Sequence, residues 1–268
     1  SSRNSNGKLF KRIKFDMIVQ YASDLHLEFP QNKEFLKANP LQPNADVLLL
    51  AGDIIPFAVI DKHDDFFSYV SDNFEITYWI PGNHEYYYFD AATKCGVLNE
   101  KIKSNVFLVN NSAIELHKCK FIFSTLWSKI NPLHQWQIER SMSDFQVIKY
   151  NNFRFSAEQY NQLHNDSIDF ITDELKRQNN NKTIVVTHHV PTMLNYPQKY
   201  KGDNFNEAFA VELFDTIEAS NIDYWIYGHH HNNTPDFLIG NTLLLTNQLG
   251  YVKYNEHYTF NQKKTITL

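Results

Sequence analysis

Five short apolar segments of this chain each end directly in a cluster of Asp, Asn or His residues, and this pattern constrains the fold more than any other feature. The segments are residues 18–22, 47–51, 76–80, 183–187 and 223–227. Each is rich in β-branched or aromatic residues, which is typical of buried strands. Segments with helical periodicity alternate with them, and this alternation predicts an α/β protein with largely parallel strands.

The remaining elements follow from weaker signals. Further strands are predicted over residues 106–109, 121–124, 237–239, 243–245 and 258–268. Helices are predicted over residues 61–71, 93–104, 156–177 and 206–219. Ser156, with Glu158 and Gln159 close behind it, fits a helix start, and the Asn run at 179–181 fits a helix stop. Residues 127–155 have a mixed pattern and are expected to form an irregular excursion, either a lid or a long connection.

The polar clusters that follow the five strands are expected to meet in space. In chain order they read Asp24-Leu25-His26, Gly52-Asp53, Gly82-Asn83-His84-Glu85, His188-His189 and Gly228-His229-His230-His231. The carboxyl ends of strands in an open α/β sheet line the ligand crevice, so the clusters should converge there. Glycine before a candidate ligand permits unusual dihedral angles or a close approach of the backbone.

Side-chain direction selects residues within each cluster. In extended backbone, residues i and i+2 point to the same side, so Asp24 and His26 should face one site together. By the same spacing His229 and His231 should face the site. The intervening Leu25 and His230 should turn away, and of the adjacent His188 and His189 only one is expected to bind a metal.

The donor set of these clusters consists of carboxylate, amide and imidazole groups. Such a mixed oxygen and nitrogen set suits Mn, Fe, Zn, Co or Ni and not sites that require thiolates. A central carboxylate can bridge two cations about 3.5 to 4 Å apart, and such a pair activates a water and clamps phosphate oxygens. The sequence therefore predicts two divalent metal ions and chemistry at phosphorus.

The motifs D-x-H, G-D, G-N-H-E, a strand-terminal His and G-H-x-H, in this order, resemble the signature of the calcineurin-like metallophosphoesterases from about residue 17 to residue 251. The resemblance implies a four-layer α/β/β/α sandwich, in which two mixed β-sheets pack face to face and are flanked by helices. It also implies a ligand set for each metal. Asp24, His26 and His231 would hold the first metal, Asp53 would bridge, and Asn83, His188 and His229 would complete the second.

The implied activity is hydrolysis of a phosphomonoester or phosphodiester by a metal-bridging hydroxide. The implied catalytic residues are Asp53, Asn83 and His84, with His84 as general acid or as an electrostatic partner of the transition state. The protein Ser/Thr phosphatase branch places arginines after G-D and G-N-H-E, but Ile54-Ile55-Pro56 and Tyr86-Tyr87-Tyr88 follow here. The resemblance is therefore not to that branch. A likeness to uncharacterised, mostly prokaryotic members is carried by other stretches, namely Thr125-Leu126-Trp127, Asp144-Phe145, Gly240-Asn241-Thr242 and Gly250-Tyr251.

Two alternatives keep the fold and change the function. A catalytically silent scaffold would have lost ligand residues, whereas all seven proposed ligands and His84 are present. A DNA nuclease of the same superfamily would need a positive groove, and the net charge of −5 argues against a broad grip on long nucleic acid. The expected partner is a small phosphate ester, while the oligomeric state stays open.

The N-terminal residues and the residues after Gly82-Asn83-His84 carry further predictions. Residues 1–16 are rich in Ser and Asn and then basic, so we interpret them as an extension, either a loose arm or vector-derived sequence, before a single domain over 17–268. Glu85 is expected to hold its own loop by hydrogen bonds. The aromatic run at 86–89 could either wall the pocket or pack in the core.

Composition bounds the location of the protein. Cys95 and Cys119 are the only cysteines and match neither a disulfide framework nor a zinc motif, which indicates a reducing compartment. The sequence shows neither a run of about 18 apolar residues nor a signal-peptide core. These observations predict a cytoplasmic protein that does not contact membranes.

Overall fold

The first of two six-stranded sheets contains three of the five strands that the predicted metal ligands follow. The structure, a computed structural model, describes residues 17–177 and 181–268. Within it, this sheet comprises β1 (Ile18–Ala22), β2 (Val47–Ala51), β3 (Ile76–Ile80), β4 (Leu98–Lys103), β5 (Val106–Asn110) and β14 (Thr265–Thr267). Their order is β14-β1-β2-β3-β5-β4, and β1, β2, β3 and β5 run parallel, with an antiparallel strand at each edge.

The second sheet repeats this plan. It comprises β6 (Ser112–Leu116), β7 (Cys119–Ser124), β10 (Lys182–Thr187), β11 (Tyr224–Tyr227), β12 (Phe237–Ile239) and β13 (Thr242–Thr246). The order is β12-β13-β11-β10-β7-β6, again with four parallel strands between antiparallel edges. A small separate hairpin pairs β8 (Lys149–Tyr150) with β9 (Phe153–Arg154).

The helices cover the outer faces of the two sheets. They are α1 (Pro30–Ala38), α2 (Asp64–Asn73), α3 (Gln135–Ser141), α4 (Asp144–Val147), α5 (Ala157–Lys176) and α6 (Phe214–Glu218). Helix α5 begins at the predicted residue, because Ser156 and Gln159 form a reciprocal capping box. The predicted stop at residues 179–181 lies largely outside the described residues, as does the predicted extension at 1–16.

Three apolar clusters define the layers. Alternate residues of the strands, among them Leu49, Tyr78, Phe121 and Ile184, form the cluster between the two sheets. A second cluster joins the outer face of the first sheet to α1 and α2, and a third joins the outer face of the second sheet to α5 and α6. The architecture is the four-layer α/β/β/α sandwich, which confirms the predicted fold class.

The five principal strand predictions are confirmed to within one residue at each end. The helix predicted over 93–104 is wrong, because residues 98–103 pair antiparallel with β5 as an edge strand. The helix predicted over 206–219 is confirmed only in part, because Asn204–Ala208 is a 3-10 turn, residues 209–213 are not helical and Phe214–Glu218 is α-helical. The amide of Val190 donates to the carbonyl of Phe209 and the amide of Val211 donates to the carbonyl of Val190, which pairs Ala210 with Val190 and interrupts the helix.

Two further predictions differ from the structure in their bounds or helix type. The strand predicted over 258–268 is reduced to Thr265–Thr267, preceded by a 3-10 turn at Glu256–Thr259. The helix predicted over 61–71 begins as a 3-10 turn at Phe57–His63 and becomes α-helical at Asp64. Sequence periodicity does not distinguish these helix types well, since 3-10 and α turns bury similar faces over a few residues.

The excursion at 127–155 is a packed wall and not an open loop. Trp127, Phe145 and Phe155 are each 1% exposed or less and belong to the cluster on the outer face of the first sheet. The guanidinium of Arg154 donates to the carbonyls of Phe145 and Glu139, which ties the hairpin to α3 and α4. The excursion is therefore fixed to the core beside the site described below.

A buried ion pair joins α5 to β7. The ammonium of Lys120 lies 2.9 Å from Glu174 Oε2 and 2.8 Å from the backbone carbonyl of Glu174, and both residues are buried. Arg177, an exposed residue, supplies a second cation to the same carboxylate.

Substitution of Glu174 by Leu is expected to destabilise the fold by about 3 kcal/mol, because it leaves the Lys120 ammonium buried without its partner. The double substitution K120M/E174L should recover most of this loss, since both charges are then removed. Urea denaturation of the three proteins measures the difference. A double variant no more stable than Glu174→Leu would contradict the explanation.

Candidate metal centre

The structure brings the predicted ligands together in two groups at the carboxyl ends of the strands. Within each group one ligand atom per residue lies within 4.8 Å of the others. The first group is Asp24, His26, Asp53 and His231, and the second is Asp53, His188 and His229. The imidazole nitrogens converge closely, with 2.9 Å from His26 Nε2 to His231 Nε2 and 3.1 Å from His188 Nε2 to His229 Nδ1.

Asp53 belongs to both groups. Its Oδ2 atom lies 3.7 Å from His26 Nε2 in the first group, and its Oδ1 atom lies 3.3 Å from His188 Nε2 in the second. The two oxygens of one carboxylate therefore face two different sets of imidazoles. This is the arrangement that a bridging ligand requires.

Asn83 adds an oxygen to the second group. Its Oδ1 atom lies 3.2 Å from His188 Nε2, while its Nδ2 atom donates to Asp144 Oδ1 over 2.9 Å. Because the amide nitrogen is held by a carboxylate, the amide oxygen is the atom turned toward the imidazoles. The bond to Asp144 thus fixes which end of the Asn83 side chain can bind a cation.

The backbone of these clusters differs from the extended conformation that the sequence analysis assumed. Asp24, His26, Asp53, His229 and His231 all have φ between 48° and 80°, in the left-handed region. The paired directions of Asp24 and His26 therefore come from tight left-handed turns and not from strand alternation. Such dihedrals cost of order 1–3 kcal/mol each in non-glycine residues and cluster at functional sites.

Gly82 allows its own cluster, Gly82-Asn83-His84-Glu85, to pack against Asp53. A Cβ atom at this position would lie 2.2 Å from Asp53 Oδ1 and 2.7 Å from His188 Nε2. Both atoms belong to predicted ligands, and neither can move away without leaving its group.

Substitution of Gly82 by Ala is expected to lower turnover by about 100-fold, which is the cost of displacing reacting groups by about 1 Å. Gly96→Ala is the matched control, because a Cβ atom there meets nothing within 4 Å. Steady-state kinetics and metal content of the two variants test this. Equal activity in both would show that the close approach has no functional consequence.

The electrostatics of the centre favour positive charge. Burial raises the pKa of the Asp53 carboxyl, but the rings of His188 and His84 outweigh burial and hold that pKa well below its usual range. Burial lowers the pKa of His231, yet its bonds to Asp24 and Glu256 raise it to about 10. Burial also lowers the pKa of His188, but the charge of Asp53 and its hydrogen bond outweigh burial and raise that pKa to about 9. The carboxylates thus favour protonated imidazoles at His188 and His231, whereas burial and neighbouring imidazoles lower the pKa of His26 and His229.

Glu85 holds the loops of both Asp53 and Asn83, which confirms its predicted structural role. Its buried carboxylate accepts hydrogen bonds from the amides of Asp53, Ile54 and Gly82 and from Trp79 Nε1. Burial and the charge of Asp53 raise the pKa of Glu85 to about 7. One side chain therefore fixes the relative positions of two clusters that are 30 residues apart.

His84 lies beside the first group, and Glu28 orients it. Glu28 Oε1 lies 2.9 Å from His84 Nδ1 and 3.1 Å from His26 Nδ1. The His84 ring stacks on Tyr87 at 4.0 Å between centroids, and its Nε2 atom lies 3.3 Å from the hydroxyl of Tyr251. Burial lowers the pKa of His84, but Asp53 and Glu28 outweigh burial and raise it above its ordinary value.

The two remaining histidines of the clusters turn elsewhere. The His189 ring is nearly perpendicular to that of His188, and it contacts the carbonyl of Thr125 and the hydroxyl of Tyr160. His230 pairs through Nδ1 with the side chain of Gln248. Neither belongs to the two groups that share Asp53, although His230 is among the residues that line the cavity described below.

Several side chains around the centre escaped the sequence analysis. Glu28 orients two histidines, Asp144 orients Asn83, and Glu256 accepts from His231 Nδ1 over 2.7 Å. Only Glu28 had a local signal, because it lies two residues after His26 in the same cluster. Asp144 and Glu256 reach the centre from distant segments, so no spacing in the sequence points to them.

A cavity of about 510 Å³ opens above the two groups. Asp53, Asn83, His84, His229 and His231 form its floor. Its walls come from the excursion at 141–144, from the loop at 196–209, and from Tyr251 with Glu256. Of the aromatic run at 86–89, Tyr87 lines the cavity, whereas Tyr86 is fully buried in the core and Tyr88 is 76% exposed.

A sandwich of this topology that gathers carboxylate, amide and imidazole donors at its strand ends defines a metal-dependent phosphoesterase. The chain belongs to the calcineurin-like phosphoesterase family, which matches residues 21–233. This confirms the resemblance drawn from the five motifs. The protein is a hydrolase of phosphoric esters, and the scaffold alternative is set aside.

Two individual relatives show what the chain is similar to in sequence. The chain is 34% identical to an uncharacterised protein of Acanthamoeba polyphaga mimivirus, over 87% of this chain and 91% of the viral protein. It is 23% identical to a 3',5'-cyclic-nucleotide phosphodiesterase of Nostoc sp. over 71% of this chain, and it spans 58% of the length of that protein.

Two solved structures share the fold. The phosphopantetheinyl hydrolase of Mycobacterium tuberculosis superimposes with a TM-score of 0.64 at 16% identity, over 94% of this chain and 96% of the other. A dimetal phosphatase of Danio rerio gives a TM-score of 0.51 at 12% identity, over 94% and 98%. At these identities the likeness establishes the fold alone.

Two predictions made from composition can be compared with the structure. Cys95 and Cys119 are both free thiols, and burial raises the pKa of each. Within residues 17–177 and 181–268, the helices are all too short or too polar to cross a membrane.

Proposed function

We propose that this chain hydrolyses a small phosphomonoester or phosphodiester at a centre of two divalent cations. Asp24, His26, Asp53 and His231 would hold the first cation. Asp53, Asn83, His188 and His229 would hold the second. The observation that carries the proposal is the position of the Asp53 carboxylate, whose two oxygens face two separate groups of imidazoles.

The residues fit such a pair of cations. The two groups offer oxygen and nitrogen donors that suit Mn, Fe, Zn, Co or Ni, and their nitrogens approach one another as ligands of a shared ion do. When bound, the cations would lower the pKa of a water and offset charge on the phosphate oxygens. The protein's own contribution is to hold the donors in place through Glu85, Asp144 and Glu256.

His84 is the residue that we assign as general acid. Glu28 occupies its Nδ1 atom, so Nε2 is the atom left to donate a proton to the leaving oxygen. The ring forms part of the cavity floor and is held by stacking on Tyr87. The hydroxyl of Tyr251, 3.3 Å from Nε2, marks the side from which a leaving group would approach.

A small substrate is favoured by the cavity. Its volume of about 510 Å³ lies within the range of small-molecule sites. Three carboxylates, Asp144, Asp203 and Glu256, line it, and they would repel the successive phosphates of a long polyanion. These features support a small ester over the nuclease alternative.

The test is a substrate panel on metal-stripped protein, to which Mn, Fe, Zn, Co or Ni is restored in turn. The panel contains a chromogenic monoester, a chromogenic diester, nucleotides, cyclic nucleotides and a labelled oligonucleotide. Cyclic nucleotides are included because the Nostoc relative is named for them. Background rates throughout, with metal demonstrably bound, would overturn the proposal, and salt-sensitive oligonucleotide cleavage would favour the nuclease.

A further inference from the structure

The walls of the cavity are aromatic. Six partly buried aromatic side chains line it, contributed by three separate segments: Tyr87, Tyr196, Tyr200, Phe205, Phe209 and Tyr251. Some of them support the floor, since Phe209 stacks on His229 at 4.6 Å and Tyr87 stacks on His84. Tyr200 and Phe205 have no ring contact with a predicted ligand in the described structure, so their exposed faces are available to a substrate.

Outside the metal ligands and His84, the charged side chains of the lining are all acidic. Asp144, Asp203 and Glu256 are carboxylates, and none of the described lining residues is Lys or Arg. The ammonium of Lys199 lies 4.5 Å from the centroid of the Tyr200 ring, and Lys199 is exposed and does not line the cavity. Apart from the cations and His84, the site therefore offers a phosphate group no charged donor from these residues.

This combination discriminates between the two kinds of phosphate ester. Near neutral pH a phosphomonoester is mostly a dianion. Proteins commonly bind its additional phosphate oxygens with Arg side chains, whose planar guanidinium groups donate two parallel hydrogen bonds. A diester is a monoanion, so its repulsion from three carboxylates is smaller. The second ester group of a diester also needs space and a surface to contact. The cavity supplies both, since the faces of its aromatic side chains can stack on a planar ring.

We propose that the substrate is a small phosphodiester, and that one of its two ester groups carries a planar ring, an aryl group or a nucleobase, that stacks on Tyr200 or Phe205. This inference rests on the proposed function, since it names the substrate of the same centre. Asp203 lies at the rim and selects against a second negative charge.

The first experiment compares matched substrates on the metal-loaded enzyme. Bis(p-nitrophenyl) phosphate is expected to show kcat/KM about tenfold or more above that of p-nitrophenyl phosphate, which has the same leaving group. Equal or higher kcat/KM for the monoester would overturn the inference and leave the proposed function intact. Absence of turnover of both substrates, with every metal bound, would instead overturn the proposed function.

The second experiment tests the ring. Thymidine 5'-(p-nitrophenyl phosphate) and ethyl p-nitrophenyl phosphate are both diesters with the same leaving group. The thymidine ester is expected to have about a tenfold lower KM, in line with the 1–3 kcal/mol that stacking of one base contributes. Tyr200→Ala or Phe205→Ala should remove this advantage, whereas Tyr258→Ala, an exposed tyrosine outside the cavity, should not. Equal KM values in the native enzyme would refute the stacking.

The third experiment tests the charge at the rim. The side chain of Asp203 accepts a hydrogen bond from the amide of Phe205, and Asn can accept the same bond, so Asp203→Asn removes only the charge. The variant is expected to raise kcat/KM for the monoester about threefold, which is the effect of one solvent-exposed charge. It should leave the value for the diester within about twofold. Asp215→Asn, an exposed carboxylate on α6, is the control, and an equal response of the two variants would contradict the role of Asp203.

Discussion

Substitution of Asp53 by Asn is expected to abolish turnover, by about 10³-fold or more, and to release or weaken both cations. Asn keeps the shape of the side chain but replaces one oxygen with an NH₂ group that cannot bind a cation. One of the two groups of imidazoles therefore loses its shared ligand. Loss of a cation removes several kcal/mol of transition-state stabilisation, and about 1.4 kcal/mol is tenfold in rate.

The measurement is metal content by mass spectrometry together with steady-state kinetics at saturating metal. Asp46→Asn is the matched control, because Asp46 is exposed and immediately precedes β2, the strand that Asp53 follows. The control should retain both metals and full activity. An Asp53→Asn protein that holds two metals and turns over normally would rule out the bridging role.

Substitution of His84 by Gln is expected to lower kcat by about 10²- to 10⁴-fold while both metals are retained, which is the range for loss of a general acid. His84 forms a third group with His26 and Glu28, and it belongs to neither of the two groups around Asp53. Gln fills a similar volume and can still donate a hydrogen bond from its amide nitrogen to the carboxylate of Glu28, so the metal ligands should stay in place.

The dependence on leaving group separates general-acid catalysis from a structural defect. A substrate with an acidic leaving group, such as p-nitrophenol, needs less proton transfer than one with an alkoxide leaving group. His84→Gln should therefore lose more activity on the alkyl ester than on the p-nitrophenyl ester. His117→Gln, at the exposed turn between β6 and β7, serves as control. An equal loss on both esters would show that His84 is not the proton donor.

The residues at the strand ends could be predicted because each motif directly follows the apolar run that identifies its strand. An apolar run with β-branched residues identifies a buried strand, and the polar cluster that follows lies at its carboxyl end in any parallel sheet. That rule placed Asp24, Asp53, Asn83, His188 and His229 near one another without knowledge of the loops. The order of the motifs then led to the family, which residues 21–233 match.

The edge elements were less predictable because distant pairing decides their conformation. Residues 98–103 carry charged residues at a spacing compatible with a helix, but they form an edge strand because β5 offers hydrogen bonds to them. The bridge at Ala210, which interrupts the predicted helix, depends in the same way on Val190, 20 residues earlier. Local propensity is a weak preference that such tertiary contacts override.

The residues that orient the predicted metal ligands could not be identified from the sequence for a related reason. Asp144 and Glu256 are ordinary acidic residues within the chain, and they act on Asn83 and His231 only because the excursion and the C-terminal segment fold against the strand ends. The left-handed turns at Asp24 and His231 were likewise unexpected, since their residue types permit several conformations.

The sequence by itself determined the fold class, the family and the residue types that meet at the strand ends, because these depend on short-range patterns that repeat along the chain. Only the tertiary structure decided which oxygen of Asp53 faces which imidazoles, which residues orient Asn83 and His84, and which side chains wall the cavity. Those contacts join segments far apart in the chain, and their geometry is set by the packing of both sheets and not by any local preference.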